Sequence, residues 1–77
     1  RYKEKEVKKY VIADLSQPTN YILSNRNGNC CFIDNVVSAT KFVSRKTATG
    51  ICNECIQNCN IDLVVVPLLI TYEIVEE

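Results

Sequence analysis

The side chains best suited to chemistry in this 77-residue sequence are its five cysteines. Three follow the spacing Cys52-x-x-Cys55-x-x-x-Cys59, and Cys30 and Cys31 are adjacent. Cysteine sulfurs at short spacings bind structural zinc, which makes Cys52 and Cys55 the candidate metal ligands. Because an α-helix rises about 1.5 Å per residue, Cys52 and Cys59 on one helix would lie about 10 Å apart, and at most two helix cysteines could share an ion. We therefore expect these thiols to be small core side chains, with a zinc or thiol protein as an alternative.

Catalysis is not expected from the remaining side chains. The sequence contains no histidine, which removes the commonest general base and every Cys–His or Ser–His pair. A Cys-x-x-Cys redox pair is most reactive at a helix N-terminus, whereas Cys52 would lie two turns inside its helix. Only two glycines occur, and neither belongs to a phosphate-binding loop. We expect a protein that is not an enzyme and that binds no cofactor.

The element that carries these cysteines is predicted to be a helix over residues 45–58. Ser44 is a suitable N-cap, because its hydroxyl can accept a hydrogen bond from a free amide of the first turn. Gly50 lies mid-helix, where glycine costs about 1 kcal/mol relative to alanine, so it either admits a close neighbour or weakens the first turns. Asn58 and Asn60 suit the helix end. Apolar residues at helical spacing form one face: Ala48, Ile51, Cys52, Cys55, Ile56 and Cys59.

Short β-rich runs before the helix predict three strands, over residues 10–15, 21–24 and 30–33. Asn27-Gly28 lies between the second and third runs and predicts a hairpin, because both residues tolerate positive φ. Asp34 or Asn35 can cap a short helical turn after the third strand. Cys30 and Cys31 point to opposite faces of a strand, so only one of them can face the helix.

The most apolar segment, residues 63–75, predicts a final strand. Pro67 lacks a backbone N–H, which predicts a lost ladder hydrogen bond and either a bulge or a change of partner. The segment exceeds the usual strand length. We therefore expect the half beyond Pro67 to pair with another chain, as a homodimer or with a different protein. The predicted interface residues on this edge strand are Leu69, Thr71, Glu73 and Val75.

Together these elements predict a single α+β domain over residues 1–77. We expect a small antiparallel sheet of about four strands, with one main helix packed on one face and a short helical turn before it. The alternating charges of residues 1–8 predict either an exposed strand extension or a frayed charged arm. A chain of this size buries only about 60 to 65% of its unfolded surface, which favours a binding module over an enzyme with a deep pocket.

The distribution of charge leaves nucleic-acid binding as a less favoured alternative. Residues 1–46 hold all nine basic residues, whereas residues 47–77 hold five acids and no base. The net charge is nevertheless zero, and Lys8 and Lys9 opposite Glu73, Glu76 and Glu77 would cancel the asymmetry. The candidate nucleic-acid surface consists of Arg26, Lys41, Arg45 and Lys46, with Tyr10 and Tyr21 as stacking rings.

No membrane partner is expected. The longest apolar run is far shorter than the roughly 20 residues that a membrane-spanning helix needs. The first residues are charged and lack the apolar core of a signal peptide. We therefore expect a cytoplasmic protein.

Three short segments of the sequence suggest a relationship. They are residues 9–12 (Lys-Tyr-Val-Ile), residues 21–23 (Tyr-Ile-Leu) before the Asn-Gly turn, and residues 39–44 (Ala-Thr-Lys-Phe-Val-Ser) followed by Ala48. This order resembles that of small phage and prophage accessory proteins of Gram-positive bacteria. The resemblance implies a protein of the host cytoplasm that binds a host or phage protein, such as an anti-defence inhibitor of the anti-CRISPR type. It implies no particular site residues.

Overall fold

A computed structural model of the protein describes residues 5–16, 21–24 and 30–75. Within these residues the chain forms a four-stranded antiparallel sheet and a helix, so the predicted α+β class is confirmed. The elements are, in chain order, β1 (Lys5–Asp14), β2 (Tyr21–Ser24), β3 (Cys31–Ile33), α1 (Arg45–Cys59) and β4 (Leu63–Tyr72). Across the sheet the order is β3-β2-β1-β4, which places β3 and β4 at the two edges.

Helix α1 begins and ends at the predicted caps. The Ser44 hydroxyl accepts a hydrogen bond from the Thr47 backbone N–H at 3.1 Å. At the other end Asn60 is left-handed, with φ 55°, and its N–H donates to the Ile56 carbonyl at 2.9 Å. Of the two alternatives predicted for Gly50, the close neighbour is excluded, because a Cβ added there would meet nothing within 4 Å. Among the described residues, no helix combines the length and apolar character needed to cross a membrane.

The core lies between one face of the sheet and the cysteine-bearing face of α1. Ile12, Ile22 and Leu63 of the sheet pack with Cys52 and Cys55, whose side chains are 4% and 0% exposed. The burial of these two cysteines confirms the predicted core face of the helix. Partly buried side chains surround this cluster: Cys30, Phe42, Ile51, Ile56, Ile61 and Val65.

Strands β1 and β4 pair in one unbroken register, from Lys5 opposite Tyr72 to Asp14 opposite Leu63. Pro67 lies inside this ladder opposite Tyr10, so the predicted bulge or change of partner at Pro67 is wrong. Tyr10 exchanges two backbone hydrogen bonds of 2.8 Å with Phe42, on the side of β1 away from β4. Tyr10 and Pro67 are therefore a non-hydrogen-bonded pair, and the Pro67 nitrogen points to the outer edge, where the ladder with β1 needs no donor.

The register also decides which charges face each other. β1 begins at Lys5 and includes part of the charged segment 1–8. Lys8 lies opposite Leu69 and Lys9 opposite Leu68, so the predicted pairing of these lysines with Glu73 is wrong. The first four residues, the Asn27-Gly28 turn and the last two glutamates lie outside the described residues.

A short turn precedes α1, as predicted. Asn35 caps it: its side-chain oxygen accepts from the Val37 N–H at 3.0 Å, and its carbonyl accepts from the Ser38 N–H at 3.1 Å. Phe42 then forms an isolated antiparallel bridge with Tyr10. This bridge ties the segment between β3 and α1 to β1.

Candidate protein interface

The outer side of β4 carries main-chain groups that the described sheet does not use. The Leu15 N–H donates to the Asp62 carbonyl at 3.0 Å, and Tyr10 bonds to Phe42 rather than to Pro67. These two contacts fix the alternation of the antiparallel ladder. The backbone N–H and carbonyl groups of even-numbered β4 residues bond to β1, and those of odd-numbered residues point away from β1. No described strand pairs with this side. The β4 residues whose backbone groups point to this outer edge are Leu63, Val65, Pro67, Leu69 and Thr71.

The predicted interface residues lie at the C-terminal end of this edge. Leu69 and Thr71 belong to the outward set in β4, and Glu73 and Val75 follow the strand. All four are exposed, Leu69 to 61% and Val75 to 72%. Leu69 and Thr71 continue the face of β4 that carries Leu63 in the core, beyond the part of that face which α1 covers. Strand edges that combine exposed apolar side chains with unpaired backbone groups are typical sites for the addition of another strand.

The opposite face of the same strand end is also apolar, which the sequence reasoning did not include in the interface. Tyr72 is 56% exposed and Ile74 63% exposed. Together with Val36, Val37 and Lys41 of the turn before α1, residues 68–72 line an open groove of about 520 Å³. The alternation of apolar residues along β4 could have indicated the strand side of this groove. The turn that forms its other wall is placed there by tertiary structure.

Two of the basic residues predicted for nucleic-acid binding, Lys41 and Arg45, make contacts within the fold. The Lys41 ammonium donates to the carbonyls of Val37 and Ala39, at 2.7 and 3.0 Å. The Arg45 guanidinium lies 5.0 Å from the centre of the Tyr10 ring, a cation–π contact at the start of α1. Lys46 is exposed, and Arg26 lies outside the described residues. The placement of Lys41, Arg45 and Lys46 therefore does not single out a nucleic-acid surface.

Cys52 and Cys55 lie in the core and Cys30 packs against it, whereas Cys31 is exposed. Cys30 lies beside Cys55 and Cys59, so it is the member of the Cys30–Cys31 pair that faces the helix. Burial raises the pKa of Cys30, and the two neighbouring thiols raise it further. Burial also raises the pKa of Cys52, with a smaller effect from Cys55. Since metal binding and nucleophilic attack need the thiolate, these environments favour packing over reactivity.

The cysteines were also predicted as candidate metal ligands. Among the residues that the structure describes, no group of three or more Cys, Asp or Glu side chains has an arrangement that could hold a metal ion. Cys52 and Cys55, the candidate ligands, both pack in the core cluster.

Comparison with protein-family models, with curated proteins and with solved structures found no match to this chain.

Proposed function

We propose that this protein is a non-catalytic binding protein that acts through protein–protein contact at the free edge of β4. The observation that carries the proposal is the coincidence, at one strand end, of outward-pointing backbone groups and exposed apolar side chains. Backbone groups supply affinity in strand addition, and alternate side chains supply selectivity. The contact residues would be Leu69, Thr71, Glu73 and Val75, with Thr71 contributing its backbone N–H and carbonyl rather than its side chain.

The biological setting of this proposal comes from the resemblance to phage and prophage accessory proteins. In that setting the protein works in the host cytoplasm, where it occupies the surface of a host or phage protein. Inhibition of a defence component, in the manner of anti-CRISPR proteins, is the form of activity that such surface occupation supports. The proposal requires neither a cofactor nor a reacting side chain.

A pair of substitutions at Thr71 tests whether the edge is the contact surface. Thr71→Pro removes the outward N–H, and it leaves the ladder to β1 intact for the same reason that Pro67 does. Thr71→Ala removes the side chain and keeps the N–H. We predict that proline lowers recovery of a captured protein about tenfold, equivalent to about 1.4 kcal/mol, whereas alanine leaves recovery nearly unchanged.

The capture experiment uses the tagged full chain in lysate of a Gram-positive host, with the recovered proteins quantified by mass spectrometry. Circular dichroism of each variant confirms that the sheet and helix remain. Equal recovery of the same protein by the natural chain and Thr71→Pro would show that the contact lies elsewhere. Recovery of nucleic acid that disappears at high salt would instead favour the basic-surface alternative.

A further inference from the structure

We propose that a second copy of this chain pairs with the outer edge of β4, antiparallel and about a twofold axis at Tyr72. The inference rests on the proposed function, because it names the strand that occupies the same edge. An edge strand with apolar side chains and unpaired backbone groups is a liability for open-ended aggregation. A twofold pairing closes that edge, since each copy uses the same surface once.

Pro67 limits where such a pairing can form. It is one of the outward-pointing residues of β4, so a strand placed opposite it would lack one donor. Beyond Pro67, Leu69 and Thr71 each present both an N–H and a carbonyl to the outside. The pairing is therefore most complete over residues 69–75, the part of the edge where the exposed apolar side chains lie.

The position of the twofold axis follows from charge and from Pro67. An axis at Ile70 or Thr71 would place Pro67 opposite residue 73 or 75 and lose a hydrogen bond inside the paired segment. An axis at Glu73 would place two carboxylates directly opposite each other, which destabilises a strand pair. An axis at Tyr72 avoids both costs.

With the axis at Tyr72, the two strands bring together the side chains that the monomer leaves exposed. Leu69 of each copy faces Val75 of the other, and Ile70 faces Ile74. The two Tyr72 rings meet at the axis as a non-hydrogen-bonded pair, the closer of the two pair types. Leu69, Tyr72, Ile74 and Val75 are 56 to 72% exposed in the monomer, so this register covers the apolar residues of the strand end.

The groove on the face opposite the helix continues this surface. Ile70 and Tyr72 line it on the strand side, so Ile74 of the second copy would lie along its open border. The paired segment is short, and stable interfaces usually bury about 1,200 Å² or more. We therefore expect a dimer that forms reversibly, with association detectable at about 100 μM.

Site-directed disulfides test the register, with Cys31→Ser in every variant to remove the exposed native thiol. Opposite residues in a non-hydrogen-bonded pair have Cα atoms about 4.5 Å apart, within the range that a disulfide spans. Two molecules of the Tyr72→Cys variant should therefore form a disulfide between their residues 72. Oxidised glutathione accepts the two electrons and two protons that the thiols lose. Leu69→Cys is the matched control, because the two copies of residue 69 would lie about 20 Å apart along the strands. A mixture of the Leu69→Cys and Val75→Cys variants should form a disulfide between the two chains, because the register places residue 69 of one copy opposite residue 75 of the other.

Light scattering over a concentration series tests association without any cross-link. We expect the mass to rise toward that of a dimer for the natural chain and for Thr71→Ala, and to stay monomeric for Thr71→Pro. A monomer at every concentration overturns the second-copy proposal. If the monomer still captures a different protein, and Thr71→Pro reduces that capture, the proposed function stands and only the second-copy proposal fails. A dimer that cross-links through Leu69→Cys alone, and not through Tyr72→Cys, overturns the register.

Discussion

Among the described side chains, Cys30 is the one whose ionisation should most affect the free energy of unfolding. Burial raises its pKa, and the neighbouring thiols of Cys55 and Cys59 raise it further. An unfolded cysteine ionises near pH 8.5, at about its ordinary pKa, so above this pH the unfolded chain releases a proton that the folded chain keeps. We predict that the contribution of Cys30 to the free energy of unfolding is complete below about pH 8 and falls at higher pH, by at most about 1.4 kcal/mol per pH unit.

Urea unfolding in the presence of a reductant, followed from neutral to alkaline pH, measures this dependence. Cys30→Ala is the control, because alanine cannot ionise and the variant should lose part of the alkaline slope. Some slope should remain, since burial also raises the pKa of Cys52. Identical slopes for Cys30→Ala and the natural chain would contradict the assignment.

The thiols also show what can be predicted for single residues. The helical spacing of Cys52 and Cys55 was sufficient to place them in the core, because the helical period is a local property. Strand alternation predicted that only one of Cys30 and Cys31 would face the helix. It could not say which one, because the choice depends on the face of the sheet that the distant helix covers.

In helix α1, Gly50 is a local weakness that the surrounding structure does not require. It is exposed, and a Cβ at this position would meet nothing within 4 Å. Alanine is more favourable than glycine in a helix interior by about 1 kcal/mol. We predict that Gly50→Ala raises the free energy of unfolding by about 0.5 to 1 kcal/mol, measured by urea unfolding at neutral pH.

The reverse substitution two residues earlier is the control for this prediction. Ala48 is fully buried, so Ala48→Gly should lose the helix preference and the packing of its methyl group, and it should destabilise the protein by more than about 1 kcal/mol. A neutral or destabilising Gly50→Ala would mean that glycine has a role at this position that the packing around it does not reveal.

The strands show why local signals were sufficient for some elements and not for others. The bounds of β2 and the Ser44 cap follow from neighbouring residues, and both were predicted from them. The effect of Pro67 depends on which side of β4 its nitrogen faces. That direction is set by the bond between Tyr10 and Phe42, residues about thirty positions apart in the sequence, and no local pattern contains it.

The molecule as a whole is elongated, with extents of 49 × 23 × 21 Å. Its radius of gyration of 14.2 Å exceeds the roughly 11.5 Å expected of a compact chain of this length. The helix packs near Leu63 and Val65, at one end of the β1–β4 pair. The other end of the pair continues as a ribbon whose helix-side residues, such as Lys8 and Leu69, are exposed. Stability should therefore decrease along the long axis.

Amide hydrogen exchange measured by NMR tests both this gradient and the direction of the β4 backbone groups. The Val66 amide, bonded to β1 beside the core, should exchange only through global unfolding, whereas that of Ile70 should exchange faster through local opening of the ribbon. In dilute protein the Leu69 and Thr71 amides, which point outward, should exchange fastest of all. Their protection should rise with concentration if a second copy covers them, and Thr71→Ala should retain this rise at Leu69. Equal protection of Leu69 and Ile70 in the monomer would contradict the alternation on which the edge depends.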